Sequence, residues 1–286
     1  MHVGALTGKA VVITGAGGGL GRAYALHAGA AGGQVIVNDV DGERADAVVA
    51  EIRTLGGTAF PSANSVTEWE GAAAIVADCR DAFGRIDGLV NNAGVNLEGG
   101  QGGDDEHRLR LTVEVNLLGA LFVGEHAITA MKAQRSGSIV NISSAAHLGI
   151  PGVAAYGATK GALASLTYCW ALDLRAHGVR VNGYLPQGQT PGSHAVEDER
   201  LVALVQGQPT PEDNAALVTY LLGDASAGVT GQVIARWNDS LVVLAPPDLT
   251  EHGVAADAWP TDVVEGRFDP VLRSGLQPLG DPRFRV

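Results

Sequence analysis

The sequence predicts a doubly wound α/β fold: a parallel sheet of about seven strands with helices on both faces. Three observations predict it. Short β-branched runs recur along the chain with helix-length stretches between them, the alternation that right-handed crossovers turn into a parallel sheet. Strand candidates such as Ala-Val-Val-Ile-Thr at 10–14 are apolar without alternation, so both of their faces must be covered. A glycine-rich turn, Thr14-Gly-Ala-Gly-Gly-Gly-Leu-Gly21, follows the first strand directly and opens the first helix, the arrangement of a Rossmann-type nucleotide-binding unit.

The elements follow in order. The first strand, 10–14, leads through the glycine turn into a helix over 20–31. Val35-Ile36-Val37 marks the second strand, 34–38, and a helix-period stretch covers 42–55. Residues 58–61 form a short third strand, 67–83 a helix and 86–90 the fourth strand. A long helix from about 104 to 134 precedes the fifth strand, 137–143. The helix 154–177, the sixth strand 179–183, the helix 211–222 and the seventh strand 231–237 complete the alternation. The glycine-rich stretch 98–104 reads as a flexible loop. After Trp237 the prolines at 246, 247, 260, 270, 278 and 282 break any periodicity. Residues 1–240 therefore read as one domain. Residues 241–286 read as an irregular tail packed on it or on a neighbouring subunit.

Composition excludes several function classes. With 46% apolar and 17% charged residues in 286, the chain can bury a sizeable core. Lysine and arginine number 19 against 31 acidic residues, and the net charge of −12 disfavours nucleic acid or an anionic membrane as partner. Cys79 and Cys169 have no second Cys or His at ligand spacing, so neither a disulfide scaffold nor a metal site is expected. The N-terminus shows no signal-peptide pattern, and no apolar run approaches the ~18 residues of a membrane span. The expected location is cytoplasmic.

The glycine turn carries the first functional signal. Gly15, Gly18, Gly19 and Gly21, with Leu20 among them, let backbone approach a pyrophosphate, and the helix N-terminus attracts its charge. The second strand ends at Asn38-Asp39, 18 residues past Gly21. A carboxylate there accepts hydrogen bonds from the adenosine ribose hydroxyls and repels a 2′-phosphate. Gly18 offers no basic charge for such a phosphate, although Arg22 stands nearby, so the expected cofactor is NAD. The second signal is Tyr156-Gly-Ala-Thr-Lys160. Residues at i and i+4 share a helix face, and an ammonium beside a phenol lowers a pKa that is otherwise about 10. Such a tyrosine can exchange protons near neutral pH.

Over roughly residues 5–240 the chain resembles the short-chain dehydrogenase/reductases of the compact, single-domain type. Beside the glycine turn and the Tyr-Lys pair stand Asn91-Asn92-Ala93-Gly94 after the fourth strand, Asn116 in the long helix, Ser143-Ser144 after the fifth, and Val181-Asn182 with Pro186 in and after the sixth. The resemblance implies that Asn92, Ala93 and Gly94 line the adenosine-ribose side of a dinucleotide pocket. It implies that Ser65 and Val66 border the adenine, with Ser65 where many members have Asp, and that Pro186 and Gly188 lie at the nicotinamide end. Tyr156 would be the general acid and base, and Lys160 would lower its pKa and hold the nicotinamide ribose. Ser144 would hold the substrate oxygen, and Asn116 would anchor a water linking Lys160 to solvent. The interval from Ser144 to Tyr156 is one residue shorter than is usual, so Ser143 competes for the role, with Ser144 preferred. The resemblance also implies a homodimer or homotetramer, through the small apolar helix faces around 120–128 and 162–170.

The function expected is NAD-dependent interconversion of a secondary alcohol and a ketone. Residues 95–97, 147–150 and 187–207 would wall the substrate, with His147 a candidate contact. Their apolar character points to a steroid or terpenoid alcohol or a 3-hydroxyacyl thioester. The alternatives are a catalytically silent NAD-binding sensor of the same fold and a Rossmann-like methyltransferase, which would not need the Tyr-Lys pair.

Overall fold

The computed structural model describes residues 4–97, 105–188, 209–237, 239–248, 258 and 260–267. Among them one sheet of eight strands runs in the order β3-β2-β1-β4-β5-β6-β7-β8. The strands are β1 (Ala10–Thr14), β2 (Gln34–Asn38), β3 (Thr58–Ser62), β4 (Gly88–Asn91), β5 (Gly137–Ile142), β6 (Val179–Leu185), β7 (Val233–Trp237) and β8 (Ser240–Leu244). The first seven are parallel. β8 pairs antiparallel with β7, Ile234 opposite Val243. The expected count of about seven is thus one short, because the residues of β8 fall almost wholly in the stretch 241–286, which reads as an irregular tail. Its Leu-Val-Val run follows β7 too closely for a crossover, and a tight turn between adjacent strands makes an antiparallel pair.

The helices are α1 (Gly19–Ala30), α2 (Gly42–Thr54), α3 (Trp69–Phe83), α4 (Glu106–Val113), α5 (Gly119–Gln134), α6 (Ala154–Leu174), α7 (Ala215–Leu222) and α8 (Thr261–Arg267). β1 explains why its sequence does not alternate. Val11 and Ile13 bury against α1, α2 and α7, beside Tyr24, Val48, Ile52 and Leu221. Ala10 and Val12 bury on the opposite face with Ile75, Val123, Met131 and Trp170 from α3, α5 and α6. Each such side chain removed from water contributes about 1.5–3 kcal/mol, so both layers hold the sheet. Local signals fix helix ends: the Asp41 carboxylate accepts from Arg44 N at 3.2 Å to cap α2, and Gly84, at φ 77°, closes α3.

The long helix of the sequence reading is continuous from Glu106 to Gln134 but interrupted by a π-helical turn over Glu114–Leu118. By length and composition alone this 29-residue helix could cross a bilayer, although no unbroken apolar run in it is that long. Its Val123, Ala127 and Met131 are instead buried in the core. The ends of the central strands lie level, with Thr14 beside Asn38, Asn91 beside Asn141 and Ile142 beside Tyr184. Strand order reverses between β1 and β4. In open α/β sheets, ligands bind outside the carboxyl ends of the strands at such a point.

Candidate active site

The turn after β1 is tied across that reversal. Thr14 Oγ1 accepts from Asn92 N at 3.1 Å and Ala93 N at 3.0 Å, while Asn92 Nδ2 donates to Thr14 O at 2.8 Å and Gly15 O at 3.1 Å. Gly15 has φ +62°, and a Cβ on Gly21 would collide with Gly15 O, so the turn tolerates no side chain at either position. Gly18 caps α1 without any side-chain hydrogen bond, leaving the first-turn amides of Gly19, Leu20 and Gly21 to the cleft. Such amides and the helix dipole favour an anion, and the residues present fit a dinucleotide.

Asp39 follows β2 on the other side of this turn. Its carboxylate accepts from Gly17 N at 2.9 Å and Asp41 N at 3.1 Å. Arg22, the cation the sequence brings near this turn, points elsewhere: its guanidinium pairs with Glu51 and, at 3.4 Å, with Glu212. Arg44 replaces it, because its guanidinium occupies the space a Cβ on Gly18 would need. No local signal distinguishes Arg44 in the sequence. Ser65 turns its hydroxyl to Thr67, 2.8 Å from Thr67 Oγ1, and Val66 is buried where a Cβ on Gly119 would strike it.

The second half of the site lies at the ends of β4, β5 and β6. Lys160, 3% exposed, donates from Nζ to Ile142 O at 2.8 Å and lies 5.6 Å from the Tyr156 ring centre. Ser143 Oγ donates back to Lys160 O at 2.6 Å, so two opposed hydrogen bonds join β5 to α6. That bond engages the Ser143 hydroxyl in the wall. Ser144 Oγ accepts from Ala146 N at 3.2 Å and lies near enough to the Tyr156 phenol to act on its proton affinity. A Cβ on Gly157 would lie 2.8 Å from Ala146 O, so glycine after Tyr156 lets the Ser144 turn approach α6 this closely.

Asn116, fully buried in the π-helical turn, accepts from Val95 N at 2.7 Å and donates to Val95 O at 2.9 Å and Thr159 Oγ1 at 3.2 Å. Thr159 in turn donates to Tyr156 O at 2.8 Å. A Cβ on Gly94 would sit 3.3 Å from both Asn116 Oδ1 and Lys160 Nζ, which places all three together. π-Turns inside α-helices often mark functional sites. Pro186 and Gly188 follow β6, and Asn214 clamps this stretch, accepting from Gln187 N at 3.2 Å and donating to Gln187 O at 3.0 Å. Gly188 faces Leu20. Asn214 and Arg44 are the site neighbours that sequence reasoning missed. Thr14 and Thr159 were visible only as members of motifs.

The electrostatics differ from expectation at one point. The sequence predicts a Tyr156 phenol made acidic by Lys160. Instead, burial raises the Tyr156 pKa above its usual value, and the nearby Ser144 hydroxyl draws it partly back. Burial also lowers Lys160 from 10.5 to about 8. Desolvation sets the direction of both shifts, because burial disfavours the charged form of each group. His147, the candidate substrate contact, turns its Nδ1 to the wall, 2.6 Å from Ser144 O and 3.3 Å from Ser143 Oγ. The stretches 98–104 and 189–208, expected as a loop and as part of the substrate wall, lie outside the described residues.

Comparison with known proteins agrees with this geometry. Residues 9–199 match the family described as short chain dehydrogenase. The chain is 34% identical to the 3-oxoacyl-(acyl-carrier-protein) reductase FabG of Thermotoga maritima, over 80% of this chain and 96% of that one. Its fold matches a short chain dehydrogenase from Mycobacterium avium with TM-score 0.81 and 29% identity, over 99% of both chains. It also matches a 7α-hydroxysteroid dehydrogenase complexed with NADH and 7-oxo glycochenodeoxycholic acid, with TM-score 0.76 and 28% identity, over 82% of this chain and 94% of that one. The chain therefore belongs to the short-chain dehydrogenase/reductase family, oxidoreductases that bind a nicotinamide cofactor.

Proposed function

We propose that the protein is an NAD-dependent dehydrogenase/reductase that interconverts a secondary alcohol and a ketone on a mostly apolar substrate. The observation that carries this reading is the meeting of Ser144, Tyr156 and Lys160 at the carboxyl edge of the sheet. A bound dinucleotide supplies or accepts the hydride. Tyr156 gives its phenolic proton to the ketone oxygen in reduction and removes the alcohol proton in oxidation. Ser144 donates to the same oxygen as its negative charge develops, a role worth roughly 3 kcal/mol where one such donor is lost. Lys160 holds the nicotinamide ribose, and Asn116 links it to solvent through water.

Gly15, Gly18, Gly19, Leu20 and Gly21 receive the pyrophosphate. Asn92, Ala93 and Gly94 border the ribose, Ser65 and Val66 the adenine, and Pro186 and Gly188 the nicotinamide. Asp39 supports NAD over NADP because a carboxylate at the end of β2 repels a 2′-phosphate, while Arg44 is the cation that opposes it. A steroid or terpenoid alcohol or a 3-hydroxyacyl thioester fits the apolar walls, and relatives whose names carry the ketoacyl and hydroxysteroid chemistries support both classes. Cys79 and Cys169 are free thiols, which suits a reducing, cytoplasmic location, and we assign the protein to a homodimer or homotetramer.

A panel of secondary alcohols and ketones from these classes, run with NAD and with NADP and followed at the nicotinamide absorbance, tests the reading. At least one substrate turns over, NAD is preferred, and Tyr156→Phe lowers kcat/KM by roughly 100-fold or more. Unchanged turnover in Tyr156→Phe would remove the proton role.

A further inference from the structure

His147 makes a set of hydrogen bonds whose directions can be assigned. A carbonyl oxygen only accepts, so the 2.6 Å contact between His147 Nδ1 and Ser144 O requires a proton on Nδ1. Ser143 Oγ already donates its one proton to Lys160 O at 2.6 Å, so at 3.3 Å it can only accept from the same Nδ1–H. His147 N donates to Ser144 O as well, at 3.2 Å. One residue thus grips the Ser144 carbonyl twice, by main chain and ring, and touches the Ser143 hydroxyl that fastens β5 to α6. Ser144 sits in extended backbone at the start of a single 3-10 turn, Ala145–Leu148. Without the ring, the Ser144 main chain would keep only the bonds of that turn, and its side chain the Ala146 N bond.

We propose that His147 is a positioning residue for the Ser144 hydroxyl, a neutral Nδ1–H donor that holds Ser144 against Tyr156 rather than a group that contacts substrate. The burial of the ring favours the neutral form and lowers its pKa, with the Ser144 carbonyl pulling the other way. The inference rests on the proton-transfer role of Tyr156 for its kinetic consequence but not for its geometry.

Two measurements test it. In the first, steady-state kinetics compares His147→Ala, His147→Asn and His147→Gln. An asparagine amide reaches the place of Nδ1, whereas a glutamine amide reaches the place of Nε2. Loss of the ring donor lowers kcat roughly tenfold or more, since small misplacement of a reacting group is costly. KM for NADH stays near that of the wild type. Asn restores most of the rate and Gln does not. Restoration by Gln with a raised substrate KM, or an unchanged kcat in His147→Ala, would overturn the proposal. In the second, nitrogen-15 NMR of the imidazole in the purified protein needs no substrate. It shows the neutral Nδ1–H tautomer at pH 7.5, and an Nε2–H tautomer or an imidazolium at that pH would refute the assignment. Full activity in Tyr156→Phe would undo the proton role while leaving the tautomer result standing, so the two failures are distinguishable.

Discussion

Lys160 is held where its own charge is unfavourable. Its ammonium is buried and donates to Ile142 O, its one hydrogen-bond partner among the described residues, and its pKa falls from 10.5 to about 8. Between those values the unfolded chain binds more protons than the folded one. This group therefore adds stability as pH rises from about 8 to 10.5, and its full penalty is present below 8. At about 1.36 kcal/mol per unit the penalty reaches roughly 3 kcal/mol. Lys160→Met is expected to raise the urea-unfolding free energy by about 1–3 kcal/mol at pH 7, with the gain fading by pH 10, while turnover collapses. A less stable variant at pH 7 would show that the charge is compensated. At this scale the sequence was right about spacing and wrong about sign, because spacing reports which groups share a face but not how much water reaches them.

The element that most shapes the site is the π-helical turn Glu114–Leu118 between α4 and α5. It carries Asn116 into the bonds with Val95 and Thr159 that brace the end of β4 against α6. The sequence places Asn116 in a long helix and has no signature for the added residue in the turn, which depends on whether the asparagine finds buried partners outside the helix. Asn116→Ala would leave the Val95 amide and carbonyl unpaired, and each orphaned buried group costs about 1–3 kcal/mol. The expected loss is about 2–4 kcal/mol in equilibrium unfolding, together with a fall in kcat. A loss below about 0.5 kcal/mol would mean that water replaces the amide fully.

For the whole molecule, the exposed face of β8 is the feature that a lone subunit leaves unresolved. Leu241 and Val243 point to the same side and are 59% and 58% exposed. β8 ends the sheet, and an apolar edge strand without charges invites pairing unless another surface covers it. The net charge of −12 opposes non-specific association, so a specific contact between copies is the expected solution. Light scattering should give a dimer or tetramer for the wild type, and Leu241→Lys with Val243→Lys should lower the mass while leaving the unfolding midpoint of the subunit nearly unchanged. A monomeric wild type would refute the oligomer.

The sequence by itself determined the alternation of strands and helices, the glycine turn, Asp39 at the end of β2 and the Tyr156–Lys160 pair, because each is a local pattern whose physical cause lies within a few residues. It could not choose between Ser143 and Ser144 from spacing alone. Tertiary structure joins Ser143 Oγ to Lys160 O and brings Ser144 near Tyr156, which supports the preference for Ser144. Tertiary structure also turned Arg22 away to Glu51 and Glu212, brought Arg44 over Gly18, clamped Gln187 with Asn214 and added β8 to the sheet. Each of these depends on partners distant in the chain and on burial, which fixes how strongly a charge or a hydrogen bond is felt.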